Sequence, residues 1–240
     1  MTDLDLTSRS AARGGSRPLR AYVAEPVGDG PWPGMVVVHE IFGLDDEARR
    51  HTDRIAAMGY LAVAVDLFSQ GGTRRCLVAT MRSLSSGQGR PFVDIEVGRQ
   101  WLLDNEQCSG KIGVIGFCMG GGFALIAAAG GFDVSSANYG QLPRNLDQWA
   151  AGACPIVGSY GARDRSLKGA ASTLEAALQK AGVEHDVKEY PSASHAFLNE
   201  KPSGPLLLRP LLRVMGIGPE PVAAVDAWRR IETFLGTHLR

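Results

Sequence analysis

The sequence predicts an α/β domain with a mostly parallel central sheet covered by helices on both faces. Two observations carry that expectation. Short apolar segments alternate with longer amphipathic ones along most of the chain, and most of the apolar segments lack a polar face, as strands buried on both sides do. In addition, the run Gly116-Phe117-Cys118-Met119-Gly120-Gly121-Gly122 joins a strand-like segment directly to an apolar helix-like one. A chain that reverses so sharply leaves no room for large side chains beside the central residue, and the glycines at positions 116 and 120 supply that room.

The elements follow in order. A Ser/Arg/Gly-rich leader (residues 1–18, with an exposed turn at 8–16) precedes a strand at 19–24 that ends at Pro26. A turn then leads to a buried Val-rich strand at 34–39. Asp45 and Asp46 are N-cap candidates for a helix through Met58, which Gly59 stops, and a second apolar strand follows at 60–67. Pro91 sits at a first-turn position of a helix that runs to about residue 105. Beyond it lie a strand at 111–117, a helix from 123, strands at 134–139 and 154–160, a helix at 170–181 closed by Gly182, a strand at 185–190 and a final helix from Pro219 or Pro221 to about residue 238. Residues 69–90 and 200–218 break the alternation. The first is Gly-rich with a short helix around 76–84, and the second carries prolines and the leucines Leu206, Leu207, Leu208, Leu211 and Leu212. As loops at the carboxyl ends of strands they are candidate pocket or lid segments, although the leucines would equally pack an irregular connection onto the core.

The 240 residues suit a single large domain over 1–240, and 45% hydrophobic content fills its core. Lys plus Arg and Asp plus Glu balance at 25 each, which leaves no electrostatic footprint for nucleic acid or an anionic membrane. An acidic N-terminus and the lack of a run of ~18 apolar residues argue against a signal peptide or a membrane span. Cys76, Cys108, Cys118 and Cys154 show no metal or C-x-x-C spacing, so reduced thiols in a cytoplasmic protein are expected, with neither a disulfide framework nor a zinc site. The expected partner is a small molecule, and the chain is a monomer or small homo-oligomer.

Cys118 at such a bend stands where a nucleophile would, raised above the sheet with the Met119 N–H at a helix N-terminus aimed at the same spot. A neutral thiol needs a base, and the base an orienting acid. Asp164 follows the strand ending near Tyr160, and His195 follows the last strand. The order nucleophile, acid, His, each at a strand's carboxyl end, is that of the α/β-hydrolase arrangement. There the loop after the early Val-rich strand supplies a second oxyanion N–H, here that of Ile41. Glu40 is unexpected beside it. A carboxylate next to a thiolate and an imidazolium is costly unless it exchanges protons or hydrogen bonds with them, which points to control of Cys118's protonation. His51 lies on a helix, His185 starts a strand and His238 is terminal, so none of the three competes with His195.

With H-E-I-F-G at 39–43, D-L-F at 66–68, G-F-C-M-G-G at 116–121, G-A-R-D at 161–164 and S-H-A-F at 194–197, the chain resembles the dienelactone hydrolases (carboxymethylenebutenolidases) over nearly its whole length. The resemblance implies a Cys-dependent hydrolase of a small lactone or ester, with Cys118 as nucleophile, His195 and Asp164 as base and acid, and Glu40 holding the resting thiol. It implies a thioester acyl-enzyme, an oxyanion hole from the Ile41 and Met119 N–H groups, substrate contacts from Phe42, Phe68, Gln70, Phe197 and Asn199, and chemistry that requires neither metal nor cofactor. The family holds its substrate carboxylate with arginines near two of these positions. Gln70 and Asn199 carry no charge, and a broader carboxylesterase or thioesterase for neutral esters is the alternative unless Arg74, Arg75 or Arg82 substitutes. A small-molecule sensor without catalysis, or a docking protein using the 206–212 leucines, are the non-enzymatic readings.

Overall fold

The computed structural model describes the chain apart from residues Ser203, Pro205, Leu206, Leu208 and Met215 and the side chains of Leu211 and Arg213. Its strands are β1 (Thr2–Asp5), β2 (Arg20–Ala24), β3 (Trp32–Val38), β4 (Leu61–Val65), β5 (Cys108–Phe117), β6 (Val134–Asn138), β7 (Ile156–Gly161) and β8 (His185–Tyr190). They form one sheet in the order β1-β2-β4-β3-β5-β6-β7-β8. From β3 onward the pairs are parallel, while β1 and β2 add antiparallel at one side. The mostly parallel α/β expectation holds.

Alternation along each strand divides the core. Met35 and Val37 of β3 face the layer built by α2 (Asp46–Ala57) and α9 (Pro221–Leu239), with Ile55, Trp228, Ile231 and Leu235. Val36 and Val38 face the opposite layer, where α4 (Arg90–Leu103) and α5 (Met119–Ala127) contribute Ile95, Leu102 and Phe123. The helix α7 (Ala170–Ala181) extends that second layer over β7 through Leu174 and Leu178. Each such aliphatic side chain, fully withdrawn from water, contributes roughly 1.5–3 kcal/mol.

Local chemistry sets the boundaries. Asp45 caps α2, accepting the Glu47 and Ala48 N–H groups at 3.0 Å each, and the buried residues Ala48, His51, Thr52 and Ile55 recur at helical spacing. Gly59, at φ +92°, turns the chain into β4. Pro91 stands in the first turn of α4 as expected.

The leader does not behave as an exposed turn. Residues 2–5 pair with β2, residues Thr7–Ala12 form α1, and Ser10 and Ser16 are buried against Asp94 of α4. The physical reason is a partner about eighty residues away, invisible to local patterning. Three more helices were not anticipated at their observed extent. The helix α3 (Thr73–Ser86) occupies most of 69–90, α6 (Leu146–Ala150) follows β6, and α8 (Arg209–Val214) lies within 200–218. Of the leucine cluster, Leu206, Leu208 and the Leu211 side chain lie outside the described residues, and Leu207 is exposed. Among the described residues no helix is long and apolar enough to cross a membrane.

Candidate active site

Five strand ends meet at one place. Glu40 follows β3, Cys118 follows β5, Tyr139 follows β6, Asp164 follows β7 and His195 lies beyond β8, all at carboxyl ends.

The bend after β5 is built by close approach. A Cβ on Gly116 would overlap the Gly120 carbonyl, and one on Gly120 would overlap the Val38 carbonyl. Backbone packing therefore forbids any side chain at either position. Cys118 adopts φ 55°, ψ −120°, its N–H donating to the Asn138 carbonyl at 3.0 Å and its carbonyl accepting from Gly121 N–H at 3.0 Å. Met119 opens α5, so its N–H belongs to the group that a helix leaves without an intrahelical acceptor.

His195 Nδ1 lies 2.5 Å from Asp164 Oδ2, and Cys118 is near enough to act on the same imidazole. With Nδ1 turned to the carboxylate, Nε2 is the nitrogen left for the thiol. Burial pulls the His195 pKa down, but hydrogen bonds to Asp164 and Cys118 and their charges outweigh it and raise it to about 10. Burial likewise pushes Asp164 up, and hydrogen bonds from His195 and Ser166 reverse this, leaving it lowered. Ser166 fixes the other carboxylate oxygen through its N–H at 3.0 Å and its hydroxyl at 2.6 Å. The acid and His loops are tied together by Arg163 N–H donating to the Ala193 carbonyl at 2.9 Å.

Glu40 is buried, and the Asn199 amide donates to its two oxygens at 3.3 and 3.2 Å. Its loop is pinned by His39, which is fully buried. Leu67 N–H donates to His39 Nε2 at 3.0 Å, so Nδ1 carries the hydrogen and donates to the Glu40 carbonyl at 2.6 Å. Burial holds the His39 pKa down despite that bond, which keeps the ring neutral.

The other expected contacts separate. Phe42 is half-buried beside an open cleft of about 780 Å³ that Glu47, Arg74, Lys201 and Arg209 also line. Phe68 is buried against the His39 ring at 5.0 Å. Gln70 is exposed and accepts a hydrogen bond from Arg90. Phe197 is fully buried, packed between Tyr139 and Tyr190, where it fills the core. Asn199 is interior and engaged with Glu40. Sequence reasoning missed Tyr139 and set His51 aside as a helix residue. His51 in fact stacks on Phe117 at 3.9 Å beneath the bend and reaches Asn199 Oδ1 at 3.1 Å. Tyr139's place one residue past a strand was the available signal. Among the described residues no three His, Cys, Asp or Glu side chains gather in a metal-holding group.

The model of the dienelactone hydrolase family matches residues 19–239. Two curated relatives named "Putative carboxymethylenebutenolidase" are similar: one from Yersinia pestis, 30% identical over 75% of this chain and 74% of its own length, and one from Escherichia coli K12, 31% identical over 75% and 73%. Among solved structures, a dienelactone hydrolase from Klebsiella pneumoniae, so named provisionally, superposes with a TM-score of 0.77 at 25% identity over 98% of both chains. A dienelactone hydrolase-like promiscuous phosphotriesterase from metagenomic libraries superposes with 0.83 at 20% identity, covering 100% of this chain and 98% of that one. The chain belongs to the dienelactone hydrolase family of the α/β-hydrolase superfamily, and is a hydrolase of ester or lactone bonds.

Proposed function

We propose that this hydrolase opens a small lactone or ester with Cys118 as nucleophile, His195 as general base and acid, and Asp164 as the group that orients the imidazole. The observation that carries the reading is the gathering at the strand carboxyl ends of Cys118, on its sharp bend after β5, with His195, whose Nδ1 is held by Asp164 at 2.5 Å. The thiolate sulfur attacks the carbonyl carbon, forming the C–S bond while the carbonyl electron pair moves onto oxygen. The Ile41 and Met119 N–H groups receive that oxyanion. Its collapse breaks the C–O bond to the alkoxide or enolate leaving group, which takes a proton from His195. Water, deprotonated by His195, then attacks the thioester and releases the acid and the thiol. Glu40 holds the resting thiol, and Phe42 forms a wall of the substrate approach. The four cysteines are unpaired, which suits a reducing compartment, and the cytoplasm is the proposed one.

A preference for neutral esters is the second reading. Gln70 is taken by Arg90 and Asn199 by Glu40, so neither position where the family carries an arginine offers a charge to a substrate carboxylate. Hydrolysis of dienelactone and p-nitrophenyl acetate by the wild type, Cys118→Ala and Cys118→Ser tests both. Loss of at least about 10³-fold in kcat/KM is expected for Cys118→Ala. Full activity in that variant would refute the nucleophile, and a strong preference for the anionic lactone would refute neutral-ester selectivity.

A further inference from the structure

Among the described residues, the non-glycine residues with positive φ are Cys118, Tyr139 and Ala196, at 55°, 41° and 61°. Such backbone persists where surrounding structure enforces it, chiefly at functional sites. For Cys118 one part of that structure is β3, whose Val38 carbonyl leaves no room for a side chain on Gly120. The other part is the end of β6, where the contacts converge on Asn138, the residue before the strained Tyr139.

The Asn138 carbonyl accepts the Cys118 N–H at 3.0 Å. The same oxygen lies 2.5 Å from where a Cβ on Gly121 would stand, so it also packs on the first turn of α5. A Cβ on Gly140 would overlap the peptide bond between Gly121 and Gly122, which extends that packing beyond the strand. The Asn138 side chain reaches the other flank, its Nδ2 donating to the Gly116 carbonyl at 3.2 Å. One residue thus grips positions 116, 118 and 121, with Cys118 between the outer two. Asn138 is fully buried, and because a backbone carbonyl only accepts, the amide nitrogen is the atom facing Gly116. Nδ2 also donates to Ser136 Oγ at 3.1 Å, while Oδ1 has no donor among the described residues. A buried amide satisfied on one side alone contributes little net stability, so its influence falls on the bend.

We propose that Asn138 is a positioning residue for Cys118. By bonding the carbonyl before the bend and the N–H within it, Asn138 holds the strained backbone that presents the sulfur to the carbonyl under attack and keeps the Met119 N–H turned toward the developing oxyanion. Without the side-chain bond, the backbone at 118 relaxes toward an ordinary conformation and the sulfur shifts. A displacement of about 1 Å at a reacting atom can cost about 10²-fold in rate. Asn138 is withdrawn from the surface, so it touches no substrate and its loss spares substrate binding.

The inference rests on Cys118 as the proposed nucleophile, so its test joins turnover to a readout that needs none. Asn138→Val replaces the amide by an apolar side chain suited to a strand, Asn138→Ala covers the case in which the branched chain does not fit, and Ser136→Ala removes the other acceptor of Nδ2 while leaving Gly116 in place. For each, kcat and KM are measured with p-nitrophenyl acetate, and exchange of the Cys118 amide hydrogen is followed by NMR. The Asn138 variants should lose at least about tenfold in kcat with KM within about twofold of wild type. Their Cys118 amide should exchange at least about tenfold faster, with the β3 amides unchanged. Ser136→Ala should stay within about twofold of wild type in both measurements. Unchanged kcat in the Asn138 variants, an equal loss in Ser136→Ala, faster exchange throughout β3, or failure of both Asn138 variants to fold would overturn the proposal. Retained hydrolysis by Cys118→Ala would remove the nucleophile and this role together, whereas a wild-type-like Cys118 amide in the Asn138 variants would overturn this inference alone.

Discussion

His195 ties catalytic geometry to stability. Its pKa is raised from the ordinary 6.5 to about 10, so the protonated ring favours the folded state fully below about pH 6.5, and that contribution fades as pH climbs toward 10. The stability difference between wild type and His195→Gln, followed by urea unfolding, should therefore shrink across that interval; a constant difference would contradict the ion-pair account. Asp164, lowered from its ordinary value, acts at the opposite end, contributing above about pH 3.8 and losing its contribution in acid. Cys118 and Asp164 were legible because each follows closely on an apolar strand, and His195 because its loop comes just beyond the last strand, which are local signals. The Asn199 contact with His51 was not, since the helical spacing of Ala48, His51 and Ile55 marks burial and says nothing of a partner 148 residues away.

At the scale of elements, α2 and α5 carry the site. Asp45 holds the start of α2, and α2 delivers His51 and Glu47 to the cluster around Glu40. Asp45→Ala should cost about 1 kcal/mol in chemical denaturation and loosen that delivery. The helix α5 has no exposed face worth the name, so its position depends on contact and not on amphipathic burial. Gly120→Ala drives a methyl into the β3 backbone and should destabilise by at least about 3 kcal/mol or prevent folding; normal expression with an unchanged thermal midpoint would refute the close-approach reading. The glycine pattern made this bend readable in advance. The helices α6 and α8 gave no comparable signal, because 5- and 6-residue helices fall below the length at which periodicity separates from chance.

For the whole molecule, the leader is a fastening. Asp94 accepts Ser10 Oγ at 2.9 Å, Ser16 N–H at 2.8 Å and Ser16 Oγ at 2.6 Å with no exposure to solvent. Burial raises its pKa, and these donors limit the rise. Ser10→Ala combined with Ser16→Ala should cost about 1–3 kcal/mol per lost partner, and more near pH 7 than near pH 4, because the stranded carboxylate must ionise as pH rises. An equal loss at both pH values would show that the serines serve packing alone. The same fastening places β1 at one margin of the sheet, opposite β8. The outermost strand on one side is four residues long and carries Asp3 and Asp5, while the other reads His-Asp-Val-Lys-Glu-Tyr. Short, charged margins give a second sheet nothing apolar to pair with, which disfavours lateral growth into extended β-assemblies at both ends. Pairing of copies of this hydrolase through these margins is therefore disfavoured relative to contacts through helix and loop surfaces.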